Sequence, residues 1–85
     1  MNWDLKIDKI IKKQLRKIPV KDARRIIDVI SELPNNPYVG DIEKMKGEEN
    51  VWRRRVGSYR IFYEIIIDKK IIYVYDVKRR TSSTY

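Results

Sequence analysis

A short arginine-rich stretch holds the groups of this sequence that are best suited to chemistry. Val51–Tyr63 contains Arg53, Arg54, Arg55 and Arg60 and no acidic residue. Residues i and i+2 of a β-strand share a face, so Arg53 and Arg55 are expected to point the same way. Crowded guanidinium groups repel one another unless an anion joins them, and the aromatic residues of the stretch offer stacking surfaces. The pattern therefore favours binding to a phosphate backbone with stackable bases.

Composition narrows the chemistry that these arginines can take part in. The chain has 85 residues and a net charge of +8, and it contains neither histidine nor cysteine. Imidazole acid–base chemistry, the usual zinc sites and disulfide bonds are therefore excluded. The positive charge favours nucleic acid, an acidic protein or an anionic surface as partner. We expect one domain over residues 1–85 that is cytoplasmic, since no apolar run approaches the roughly 20 residues that cross a bilayer and the N-terminus lacks a signal-peptide core.

Changes of hydrophobic period predict the elements that precede the arginines. Met1–Ile7 alternates apolar and polar residues, which is typical of a short strand with one buried face. Helical spacing follows, first from Asp8, which can cap the helix, to Ile18, and then from Val20 to Leu33. The apolar residues expected on the buried faces of these helices are Ile7, Ile10, Ile11, Leu15, Ile18, Ala23, Ile26, Ile27, Ile30 and Leu33.

The second half of the sequence predicts a three-stranded meander. The arginine stretch forms a hairpin with a tight turn at Gly57-Ser58, and its second strand continues to Ile67. A turn at residues 68–70 leads to a last strand, Ile71–Val77. No regular element is predicted over Tyr38–Asn50, although Ile42 and Met45 are expected to face inward.

These elements predict a two-layer α+β fold. An N-terminal strand and a helical hairpin pack on an antiparallel sheet of about four strands, whose other face stays free. Arg54 interrupts the apolar face of its strand, so we expect it at the sheet edge with its stem along the core. The aromatic residues expected in the core are Trp3, Trp52, Tyr63 and Tyr73.

The order of elements and three segments resemble the RelE/ParE toxin superfamily of type II toxin–antitoxin systems, in its RelE-like branch. The segments are Lys44–Gly47, Trp52–Ile65, and Val77–Arg80 with the terminal Tyr85. The central segment is similar to the family's aromatic-basic-x-basic-Val-Gly-x-Tyr-Arg-x-x-Tyr run. RelE-like members cleave mRNA in the ribosomal A site with the RNA 2′-hydroxyl as nucleophile, which implies no metal and no small-molecule cofactor.

The resemblance also implies which residues form the site. The expected catalytic residues are Arg53, Arg55, Arg60, Arg80 and Tyr85. Arg79 stands where many relatives have histidine, and it is the alternative match to the family's arginine after the last strand. Further RNA-binding residues are expected at Lys46, Arg54, Lys78 and Arg79.

The general base is left open by the sequence. A guanidinium is effectively always protonated, so arginines on the hairpin suit charge neutralisation better than proton abstraction. Glu64, Glu48 and Glu49 are possible bases, as are groups of the ribosome. A purely structural alternative has the arginines paired with Glu64 or Asp76 on a surface sheet.

The resemblance implies a toxin that acts as a ribosome-dependent mRNA endoribonuclease. Its partners would be a cognate antitoxin, whose C-terminal segment often carries acidic residues, and the ribosome with mRNA. Neither a membrane nor a small-molecule cofactor is expected. Two alternatives remain: a ParE-like, non-catalytic inhibitor of DNA gyrase, and a degenerate toxin that only pairs with its antitoxin.

Overall fold

Two helices cover one face of a five-stranded sheet in the computed structural model of the protein, which describes residues 3–79. The elements in chain order are β1 (Asp4–Ile7), α1 (Ile10–Arg16), α2 (Val20–Glu32), β2 (Ile42–Lys44), β3 (Val51–Val56), β4 (Tyr59–Ile66), a 3-10 turn (Ile67–Lys69) and β5 (Ile71–Arg79). The strands lie in the order β1-β5-β4-β3-β2. The predicted α+β fold is confirmed. Across residues 3–79, no helix is long and apolar enough to span a membrane.

The β3–β4 hairpin separates the core from an open face by simple alternation. Tyr59, Ile61, Tyr63 and Ile65 are buried on β4, while the residues between them are partly exposed. Gly57 provides the positive φ, +58°, at the tight turn. Apolar side chains that alternate with polar ones place one face of a strand against the helices and the other toward solvent. The predicted hairpin is therefore confirmed, with the turn at Gly57-Ser58.

The core lies between this face of the sheet and the helices. α1 contributes Ile11, and α2 contributes Ile26 and Ile30, followed by Leu33. Ile27 was predicted on the same buried face but is 48% exposed. It borders an open groove between the helices, which the short α1 does not fill. Ile7 and Ile10, also predicted to be buried, are exposed at the junction of the edge strand β1 with α1.

The sheet differs from the prediction in strand number and direction. β2 lies in a region for which no regular element was predicted, and it pairs with β3 in antiparallel fashion. Three residues are too few to show a clear period of two. β1 runs parallel to β5, so the sheet is mixed rather than antiparallel. Pairing direction depends on residues far apart in the chain, which no local pattern contains.

An irregularity in β5 changes which side chains face solvent. Tyr63 pairs with Val74 whereas Phe62 pairs with Asp76, so Tyr75 is an extra residue in the register. Gln14 of α1 binds the part of β5 that follows Tyr75, because its Oε1 accepts a hydrogen bond from the Val77 backbone N–H at 3.0 Å. Its Nε2 donates to Asp76 at 2.7 Å.

Tyr73 is not in the core, contrary to the prediction. It pairs in register with Glu64 on the open face of the sheet, and its hydroxyl donates to Asp8. The Asp8 carboxylate also accepts from the Ile10 backbone N–H at 3.0 Å, in the first turn as predicted, although Lys9 rather than Asp8 is the N-cap residue of α1. The expected core position of Tyr63 is correct, and its buried hydroxyl donates to the Pro37 carbonyl at 2.7 Å.

Arg54 lies on the helix-facing side of the sheet, under the segment that leads into β2. Its Nη1 donates to the Val39 carbonyl at 3.2 Å, and Gly40 passes directly over the guanidinium. β3 is an inner strand between β2 and β4. The predicted position at the sheet edge is therefore wrong, because the chain at residues 39–41 closes over this side chain.

Replacing Gly40 with alanine is expected to lower the free energy of unfolding more than replacing Gly47. The two glycines have φ of +99° and +82°, so each substitution costs about 1–2 kcal/mol of backbone strain. A Cβ at Gly40 would also lie 2.6 Å from Arg54 Nε, whereas nothing lies within 4 Å of one at Gly47. Overpacking adds about 1–3 kcal/mol at Gly40 alone. Urea denaturation measures both, and equal losses would contradict the tight contact with Arg54.

Candidate functional site

Three arginines project from the open face of the hairpin and form the candidate site. Arg55 lies directly opposite Arg60 in the β3–β4 register, and Arg53 lies opposite Phe62. Like charges directly opposite one another destabilise a sheet. We call Arg53, Arg55 and Arg60 the arginine cluster. Together with Asp41 and Glu43 they line one shallow pocket.

Strand β2 and the residue before it supply the carboxylates of this pocket. Glu43 lies opposite Arg53 in the β2–β3 register, and it accepts hydrogen bonds from Arg53 Nε at 3.0 Å and from Nη2. Arg55 Nε lies 3.7 Å from Asp41 Oδ2. Within residues 3–79, Arg60 forms no ion pair. The cluster therefore keeps an excess positive charge, and among the described residues its ion pairs are with Glu43 and Asp41 rather than with Glu64 or Asp76, the acids named in the structural alternative.

The charge of Glu43 is stabilised by its neighbours. The hydrogen bonds from Arg53 lower the pKa of the Glu43 carboxyl below its ordinary value, and the positive charges of Arg53, Arg60 and Arg55 lower it further. Glu43 is consequently an ionised acceptor at neutral pH. Both the cations and this anion are accessible from solvent, so a bound anion could exchange with the carboxylate.

The other predicted RNA-binding residues are distributed over both faces. Lys78 lies opposite Arg60 on the open face, with its Nζ 3.7 Å from Asp76. Lys46 is exposed in the loop after β2 and does not line the pocket. Arg54 is on the helix-facing side, and Arg79 occupies a register position opposite the buried Tyr59. The structure thus brings Lys78 to the cluster and leaves the other three outside it.

Two expected catalytic residues, Arg80 and Tyr85, lie outside the described residues. The possible bases named from the sequence are also placed apart from the pocket: Glu48 and Glu49 are in the loop before β3, and Glu64 lies opposite Val51.

Sequence reasoning missed the two acidic residues of the pocket. Asp41 and Glu43 are separated from the arginines by a loop and belong to the region for which no strand was predicted. Their spacing at i and i+2 is the signal that could have placed both on one face of a short strand.

The fold and the sequence identify a family of toxins. The model of the family described as "ParE toxin of type II toxin-antitoxin system, parDE" matches residues 2–83. The chain therefore belongs to this toxin family, and the predicted membership of the RelE/ParE superfamily is confirmed.

Several similar proteins and solved structures are named RelE. The chain is 30% identical over 83 residues to RelE1 of Methanocaldococcus jannaschii, an alignment that covers 94% of this chain and 92% of the relative. The RelE–RelB complex from Pyrococcus horikoshii OT3 contains a chain that is 27% identical, with a TM-score of 0.83 and coverage of 98% of this chain and 100% of that one. The RelB–RelE antitoxin–toxin complex from Methanococcus jannaschii gives 32% identity, a TM-score of 0.72 and coverage of 87% and 88%.

The Arg53→Ala substitution is expected to raise the pKa of Glu43 toward its ordinary value. The Arg53 hydrogen bonds are the largest cause of the lowered pKa, and the charge of Arg55 is the smallest. Because folding lowers this pKa, the Arg53–Glu43 pair stabilises the protein at pH values above the unfolded-state pKa of Glu43. This contribution is lost as the pH falls through the folded-state pKa. An NMR titration of the Glu43 carboxyl carbon measures the shift. Arg55→Ala is the matched control, and an equal shift in both variants would contradict the assignment.

Proposed function

We propose that this toxin is a ribosome-dependent mRNA endoribonuclease. The observation that carries the proposal is the excess of positive charge on an open sheet face, where three arginines share two carboxylates. A scissile phosphate supplies the missing negative charge, and guanidinium groups bind phosphate oxygens through paired N–H donors. The names of the RelE relatives support the same branch of the superfamily.

The proposed reaction uses groups of the RNA as both nucleophile and electrophile. The 2′-oxygen loses its proton and bonds to the adjacent phosphorus while the bond to the 5′-oxygen breaks, which leaves a 2′,3′-cyclic phosphate and a 5′-oxygen that takes up a proton from water to become a 5′-hydroxyl. The protein then has to hold the phosphate, balance its growing negative charge and accept the 2′-hydroxyl proton. The arginine cluster fits the first two tasks. Arg80 and Tyr85 remain predicted to contribute a further cation and a stacking surface.

Glu43 fits the task of proton acceptor. It accepts hydrogen bonds from Arg53 of the arginine cluster, and the arginines stay protonated at neutral pH. Its lowered pKa makes it ionised but weakly basic, and base catalysis is most efficient when the pKa lies near the working pH. Charge stabilisation by the arginines is therefore expected to supply more of the rate than proton transfer does.

Primer extension on a reporter mRNA tests the proposal in cells that express the wild type or Arg60→Ala, with translation running or blocked. The wild type is expected to cut within codons only while translation runs. Arg60→Ala is expected to cut about 100–1,000-fold less, the usual cost of losing one preorganised charge donor. Its thermal stability should not fall, because the substitution removes the repulsion of Arg55 across the hairpin.

Two further variants belong to the same experiment, one as a control and one as a test of Glu43. Arg24→Ala removes an exposed arginine of α2, on the other layer of the fold, and should cut like the wild type. Glu43→Gln should cut more slowly without weaker RNA binding, and faster cutting would contradict its role as proton acceptor.

Growth arrest without cuts would favour gyrase as the target. The absence of both cuts and arrest would favour a degenerate toxin.

We also propose an antitoxin as the protein partner. The Pyrococcus and Methanococcus structures are complexes of RelE with RelB, and the net charge of +8 is complementary to an acidic segment.

Copurification with the product of a neighbouring small gene tests this partnership. A tagged toxin is expected to retain the gene product at low salt. The rate at which the two proteins associate should fall as salt is added, because screening weakens electrostatic steering. Absence of a complex at every salt concentration would contradict the partnership.

A further inference from the structure

Three aromatic side chains continue the open face beyond the arginine cluster. The ring centroids of Phe62 and Tyr75 are 6.4 Å apart, and those of Tyr75 and Tyr73 are 6.1 Å apart. Phe62 lies opposite Arg53 in the register, so the series begins beside the cluster. We call Phe62, Tyr75 and Tyr73 the aromatic row.

The irregularity of β5 forms this row. Tyr75 and Asp76 together occupy the place opposite Phe62, and the extra residue brings Lys78 opposite Arg60. Bulges of this kind re-aim side chains and are frequent beside active sites. Here the bulge sets a ring against Phe62 and a cation against the cluster in the same short segment.

The row is left uncovered by the rest of the described structure. All three rings are partly exposed, and both helices contribute their buried residues to the opposite side of the sheet. Large aromatic side chains usually lie in a core or a contact surface because they bury so much apolar area. A partly exposed series of three next to excess positive charge therefore indicates a ligand with both flat apolar groups and negative charge.

We propose that the aromatic row stacks bases of single-stranded RNA whose phosphate lies on the arginine cluster. The proposal rests on the proposed function for the identity of the nucleic acid. Aromatic side chains beside a cationic track are the general means by which proteins hold single strands, since every base has a face that can stack. The cluster then binds the backbone, and the row binds the bases beside it.

Lys78 is positioned to move when a base arrives. Its Nζ lies 5.6 Å from the centroid of the Phe62 ring, and 67% of its side chain is exposed. An exposed ammonium on an aromatic face is held weakly. A base can therefore take its place on Phe62 while the ammonium stays within reach of the phosphate.

Acidic groups at the far end of the row favour RNA bases over an acidic peptide. Glu64 lies opposite Tyr73, and Asp8 accepts a hydrogen bond from the Tyr73 hydroxyl. These carboxylates repel a negatively charged segment but not the neutral bases. They also keep phosphates at the arginine end, which orients the strand on the face.

Fluorescence titration with a 2′-O-methyl RNA oligonucleotide containing 2-aminopurine tests the proposal, because stacking quenches this base and the methylated ribose cannot be cut. Phe62→Leu and Tyr75→Leu are expected to bind about 5- to 150-fold more weakly and to lose quenching, as stacking contributes by this amount per base. Tyr38→Leu is the matched control, since Tyr38 is an exposed ring outside the row, against Trp52, and this variant should bind and quench like the wild type. Thermal unfolding of each variant verifies that it is folded.

The outcomes separate this proposal from the proposed function. If folded Phe62→Leu and Tyr75→Leu bind and quench like the wild type, the aromatic row is not a stacking surface, even where Arg60→Ala stops mRNA cleavage. If quenching and affinity depend on the rings while no cuts occur in cells, the row is confirmed and the nuclease proposal falls. Loss of antitoxin binding in these two variants with RNA binding unchanged would overturn the stacking proposal.

Discussion

The opposition of two guanidinium groups across the hairpin is the constraint on which the site depends. Arg55 and Arg60 are direct partners in the antiparallel register, an arrangement that is unfavourable for like charges. The hairpin tolerates it because the other face of the same two strands contributes Val56, Tyr59 and Ile61 to the core. Burial on one face thus offsets repulsion on the other, and the repulsion is relieved when an anion joins the pair.

The carboxylates of the β2 region relieve part of this repulsion without removing the capacity for another anion. Glu43 and Asp41 each pair with one arginine, and both pairs are accessible to solvent. Ion pairs at the surface stabilise a protein weakly. In the proposed reaction, a phosphate that binds several guanidinium groups together displaces these carboxylates, and Glu43 stays nearby as an ionised acceptor. Residues 41–43 thus partly neutralise the arginine cluster in the structure.

Features that depend on neighbouring residues were predictable from the sequence, whereas features that depend on distant residues were not. The spacing of Arg53 and Arg55 predicted that both lie on one face, because the period of a strand is contained in the strand itself. Glu43 was missed because its strand is too short to show that period, and it meets Arg53 only through tertiary pairing. The displacement of Tyr75 by a bulge and the parallel direction of β1 likewise depend on partner strands. Arg80 and Tyr85 rest on resemblance alone.

The parallel pairing of β1 with β5 sets an order on the folding of this chain. Asp4 pairs with Ile71, so this contact closes a loop that contains nearly every other element. Closing such a loop costs more entropy than closing the two-residue turn of the hairpin, and contacts between neighbours in sequence form faster. Changes in β1 should therefore act mainly on the unfolding rate, and changes in the hairpin on the folding rate. We therefore expect the strands that carry the arginine cluster and the aromatic row to meet early, before the N-terminal strand completes the sheet.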